Sequence, residues 1–126
     1  MMERATFDDL IARKLQREKD REAFREIHVP SMGKTLAFHR PADSEIIGFL
    51  DVLDSSSNVS DVYEMYNEMI YKCCPLLHSD KVREAFEVTV PTDVVPKIMD
   101  PADVMQVGET LSKFLGLARI GEDVKN

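Results

Sequence analysis

From residue 61 to residue 117, apolar side chains recur at steps of three and four residues, and Pro75, Pro91 and Pro101 cut the pattern into short pieces. This period marks amphipathic helices, and each break marks a turn between them. The last piece carries the sharpest signals. Asp100 can cap a free backbone N–H, Pro101 suits the first helical position because it has no N–H to satisfy, and Asp103 favours the positive end of the helix dipole. Val104, Val107, Leu111 and Phe114, with Met105 and Leu115 beside them, form the apolar face. Gly116 supplies a left-handed stop, after which Leu117 can pack back on the last turn.

The same reading runs backwards along the chain. Ser60 or Asp61 is expected to cap a helix whose broad stripe is Val62, Met65, Tyr66, Met69, Ile70 and Cys73. Ser79 and Asp80 open a short helix carrying Val82, Ala85 and Phe86, and Pro91-Thr92-Asp93 opens another with Val94, Val95 and Ile98. Earlier, Pro41-Ala42-Asp43-Ser44 begins a helix with Ile46, Phe49, Leu50 and Leu53, which ends in a serine run. Runs 26–29 and 35–39 flank the turn-rich Pro30-Ser31-Met32-Gly33-Lys34 and read as a hairpin, which needs helices or a second subunit against it to persist. Ahead of it, a charged helix begins at Thr6 with a narrow stripe of Phe7, Leu10, Ile11 and Leu15, so its second half is expected to project or to be partly frayed. The sum is a single α+β domain, mainly α: a small N-terminal β-hairpin packed on a cluster of five or six short helices. Its regions are the charged helix (1–25), the hairpin (26–40), a helical body (43–117) and a polar tail (118–126).

Charge narrows the choice of partners. With 23 acidic and 16 basic residues the 126-residue chain carries a net charge of -7, which repels nucleic acid and anionic lipid unless its cations gather on one face. Arg13, Lys14, Arg17, Lys19, Arg21 and Arg25 alternate with acidic residues and read as a solvated, salt-bridged helix. No spanning apolar run occurs, and Met1-Met2-Glu3-Arg4 lacks the apolar core of a signal peptide, so a soluble protein that stays in the cytoplasm is expected. Adjacent Cys73 and Cys74 fit a reducing compartment.

The candidate chemistry is thin. His28, His39, His78 and the two cysteines lack zinc-ligand spacing, and a thiol at the C-terminal end of a helix faces a dipole that opposes the thiolate. Asp8-Asp9 and Asp51 with Asp54 suit capping and solubility better than acid–base work, and Gly33-Lys34-Thr35 lacks the first glycine of a phosphate loop. No catalytic, metal or cofactor site is therefore assigned, and an enzyme is the least favoured class. Seven methionines supply adaptable apolar side chains suited to cores and to gripping partners.

The succession EIHVPSMGKTLAFHRPADSEIIGFLD, YNEMIYKCCPLLHSDKV and PTDVVPKIMDPADVMQVGETLSKFLGL resembles the tail assembly chaperones of long-tailed bacteriophages and prophages of low-GC Gram-positive bacteria. The elements that carry the likeness are Ile70-Tyr71 followed by Pro75-Leu76-Leu77, the Asp93-Val94-Val95 segment, and a helix running from Gly108-Glu109 to Phe114-Leu115-Gly116. The resemblance implies a non-enzymatic chaperone that binds and solubilises the tape-measure protein, gathers tail-tube subunits around it, and is absent from the mature virion. It also implies possible homo-oligomers and, in many relatives, a longer frameshifted product. The expected client surface is apolar helix face drawn from Tyr66, Met69, Ile70, Val107, Leu111 and Phe114, and the expected self-association edge is Thr35, Leu36, Ala37, Phe38 and His39. The first rival reading is a structural tail or head-completion subunit retained in the particle, and the second is a small regulator that contacts nucleic acid, which the net charge disfavours.

Overall fold

Thr6 and Asp9 fasten the start of the first helix to itself. The Thr6 hydroxyl accepts the Asp9 N–H at 3.3 Å, and the Asp9 carboxylate accepts the Thr6 N–H at 2.8 Å, a reciprocal cap that also lowers the Asp9 pKa. Helix α1 (Phe7–Glu22) follows, and none of its residues is buried. The computed structural model describes residues 2–55 and 58–117, so the polar tail lies outside the described residues. Only the second half of α1 was expected to project, yet its full length does, because its stripe meets no apolar surface of the body. Its ties to the body are exposed ion pairs from Arg17 and Arg21 to Asp43, at 3.1 and 3.4 Å.

Strands β1 (Phe24–Val29) and β2 (Lys34–His39) pair antiparallel, with Ile27 opposite Leu36 and Val29 opposite Lys34. Val29 O accepts the N–H of both Met32 and Gly33, and Gly33 takes the positive φ of 64° that this turn demands. The strand period of two then sends Ile27, Val29, Leu36 and Phe38 inward. Strand β1 begins two residues before the sequence pattern suggested, because Phe24 and Arg25 pair with His39 and Phe38.

The body comprises α2 (Asp43–Ser55), α3 (Val59–Cys73), a 3₁₀ turn (Pro75–His78), α4 (Asp80–Phe86), a second 3₁₀ turn (Pro91–Asp93), α5 (Val94–Ile98) and α6 (Pro101–Leu115). Asn58, rather than Ser60 or Asp61, caps α3 by accepting the Ser60 N–H at 2.9 Å. At the other end of α3, the Tyr71 carbonyl accepts the Cys74 N–H at 3.3 Å and His78 Nε2 at 2.6 Å. Asp100 caps α6 by accepting the Asp103 N–H at 2.9 Å, and Gly116 ends it at φ 80°.

Helices α3 and α6 pack face to face, and the hairpin lies across them. Gly108 makes the helix contact possible: a Cβ there would lie 2.8 Å from Tyr66 Cβ and would strike the ring as well. A polar tie pins the tip of the hairpin. Asp103, only 3% exposed, accepts the Ser31 N–H at 3.2 Å and the Ser31 hydroxyl, and also the Asp100 N–H at 3.2 Å. These bonds, led by the Ser31 hydroxyl, hold the Asp103 pKa below its ordinary 3.8. The carboxylate thus joins the hairpin tip to the first turn of α6.

Candidate partner-binding surface

Four of the six residues expected to meet a client are core. Met69, Ile70 and Leu111 are wholly buried and Val107 is 1% exposed, because the stripes of α3 and α6 face each other and leave no groove between them. These four therefore cannot form a docking surface on the folded chain. Tyr66 and Phe114 are half-buried: the Tyr66 ring lies against Gly108, and Phe114 lies beneath the Arg40 guanidinium, 5.9 Å from the ring centroid.

The hairpin strip is split by its own pleat. Leu36 and Phe38 point into the core and are unavailable to a partner through their side chains, whereas Thr35, Ala37 and His39 are exposed on the opposite face. There His39 stacks on Phe24, ring centroids 5.7 Å apart, and Phe24 stays 60% exposed. Among the described residues, no backbone hydrogen bond links the outer edge of β2 to another element. That edge has no strand paired to it among these residues, and the first 3₁₀ turn of the body packs near β2.

The apolar surface most available to a partner lies on α1. Phe7, Leu10, Ile11 and Leu15 are 74, 62, 43 and 56% exposed, and their spacing puts them on one side of the helix. A 16-residue helix is marginal alone in water, so α1 relies on its cap and on the dipole-matched placement of Asp8 and Asp9 at its start and Lys19 and Arg21 at its end. Covering these four side chains to the extent they are now exposed would contribute roughly 4 to 7 kcal/mol gross. Association costs of similar size leave a reversible contact. The sequence pattern contained this stripe, but a core-facing stripe has the same period.

Elsewhere the chemistry is quiet. Burial, then the nearby Glu45 carboxylate, pushes the Cys73 thiol up to about 12, and burial also raises the Cys74 pKa against N–H donation from Leu77 and Leu76. Both thiols stay protonated near neutral pH. A shallow groove of about 520 Å³ between α3 and the second 3₁₀ turn is edged by Glu64, Glu68 and Asp93, and the Asn67 side-chain oxygen is buried without a hydrogen-bond partner among the described residues. Among the described residues no cluster of three or more His, Cys, Asp or Glu could hold a metal, and no helix is long and apolar enough to cross a membrane.

The chain was compared with protein-family models, curated proteins and solved structures, and nothing matches in any of the three.

Proposed function

We propose that this protein is a non-catalytic assembly chaperone of a long-tailed phage or prophage. It holds the tape-measure protein in soluble form in the host cytoplasm, helps tail-tube subunits gather around it, and leaves before the virion is complete. The observation that carries this reading is α1, a capped helix whose apolar side faces solvent along its whole length. The order of elements quoted above supports it.

In this reading the client contact shifts from the α3 and α6 stripes to Phe7, Leu10, Ile11 and Leu15, with Phe24 continuing the surface onto the hairpin. A long helical client can lay its own apolar anchors along such a helix. The exposed side of Thr35, Ala37 and His39 and the unpaired β2 edge serve self-association.

Co-production with the tape-measure protein of the same phage tests the proposal. The wild-type chain keeps the client in the soluble fraction, and a Phe7→Ser, Leu10→Ser, Ile11→Ser variant fails to do so while melting at the wild-type temperature. Equal solubilisation by both chains would refute it. The unpaired strand edge also favours the first rival reading, a structural tail or head-completion subunit, because such an edge can be covered permanently in an assembly. Mass spectrometry of purified virions separates the two: the chain is present only if it is structural.

A further inference from the structure

Three arginines of α1 gather on one side of the helix, with Asp20 among them. Arg13, Arg17 and Arg21 succeed each other at four-residue steps, so they form one ridge, and that ridge faces Arg40 at the end of the hairpin. Together they line a cleft of about 380 Å³ between α1 and the body. A hollow of about 360 Å³ adjoins it, bounded by Arg21, Arg40 and Asp43.

Two carboxylates share this cleft with four guanidinium groups. Asp43 is divided between Arg17 and Arg21, and Asp20 accepts a hydrogen bond from Gln16 at 2.9 Å. Among the described residues Arg13 has no carboxylate partner, and Arg40 donates to the Phe114 carbonyl at 3.0 Å. A guanidinium presents five N–H donors in a planar fork suited to oxyanions, so most donors here are unused by protein acceptors. In a chain of net charge -7, this is a local excess of positive charge.

We propose that the cleft between α1 and the body binds an acidic segment of a partner polypeptide, whose carboxylates pair with Arg13 and Arg40 and displace Asp43 from Arg17 and Arg21. Apolar groups at the cleft favour a polypeptide over a nucleic acid. Phe114 lines it, and Leu10, three residues before Arg13, continues the arginine ridge towards the helix start. A nucleic-acid strand would carry its line of charge past the cleft and over the acidic body, whereas a short acidic segment confines its charge to the arginines. This inference holds whether or not the apolar stripe grips a tape-measure protein.

Fluorescence anisotropy on the full chain provides the test. The probe is a short fluorescein-labelled peptide of glutamate and leucine, compared with the same peptide carrying lysine and with a single-stranded DNA oligonucleotide. The glutamate peptide binds in low salt and is released by added salt, while the other two bind at least roughly tenfold more weakly. Arg13→Gln with Arg17→Gln, both on a helix without buried residues, weakens the glutamate peptide about tenfold and leaves the circular dichroism of the body unchanged. Asp43→Asn tightens it by about threefold by freeing two arginines, and Asp54→Asn, an equal change of charge elsewhere, does not. Binding of the glutamate peptide that ignores the arginine substitutions, DNA binding of equal strength, or no glutamate-peptide binding at all would each overturn the proposal.

Discussion

Replacing Gly108 with alanine tests the central helix contact, because helix propensity and packing predict opposite signs. On propensity alone, Gly108→Ala stabilises α6 by about 1 kcal/mol. The geometry argues against that gain. The new methyl carbon would sit 2.8 Å from Tyr66 Cβ, below the 3.0 Å that real Cβ contacts respect, and closer still to the ring. Turning the tyrosine about χ1 moves the ring but leaves its Cβ in place, so α3 and α6 must separate where Met69, Val107 and Leu111 are fully packed. Overpacking of this kind costs about 1 to 3 kcal/mol, and because here the helices themselves must part, the upper end applies and exceeds the propensity gain. The expected outcome is a net loss of about 1 to 2 kcal/mol, a fall in melting temperature on the order of 4 to 8 °C. Urea unfolding of wild type, Gly108→Ala, Tyr66→Gly and the double variant measures it. The alanine costs less once the ring and the Cβ that carries it are both gone. A Gly108→Ala protein as stable as wild type, or an identical cost in both backgrounds, would refute the account. Under the proposed function, client solubilisation well below the melting temperature stays intact, since the proposed client stripe lies on α1 and not on α3 or α6.

Other outcomes follow from the same structure. Because the Asp103 pKa lies below 3.8 in the folded chain, its contribution is fully present above that value and fades as pH falls through the folded pKa. Acid unfolding of Asp103→Asn therefore shows less pH dependence below about pH 4 than wild type, with lower stability at neutral pH. Cys73 and Cys74 react with iodoacetamide at pH 8 at least roughly a hundredfold more slowly in the native protein than in urea, and native-state labelling at the unfolded rate would contradict their burial. Amide hydrogens of α1 exchange orders of magnitude faster than those of α3 and α6 at low protein concentration, because opening α1 uncovers no core. Matching protection would mean that α1 is covered in solution.

Local signals were legible in the chain because they depend on neighbours in sequence. Asp100, Pro101 and Gly116 act on backbone groups within a few residues, so the limits of α6 could be read directly. The hairpin likewise followed from the turn-rich Pro30-Ser31-Met32-Gly33-Lys34 between two runs containing β-branched and aromatic residues. Asn58 was missed as the cap of α3 because Ser60 and Asp61 are equally able in principle, and only backbone conformation selects among them.

The amino-acid order thus determined which sides of the helices are apolar and where each helix starts and stops. Tertiary structure decided what covers those sides: Met69, Ile70, Val107 and Leu111 close on each other, while Phe7, Leu10, Ile11 and Leu15 meet solvent. It also brought Arg40 to Arg13, Arg17 and Arg21 across a cleft that no local pattern describes. The physical reason is that a 3.6-residue period records the direction of a side chain around its own axis, whereas burial and charge density depend on which other element occupies that direction.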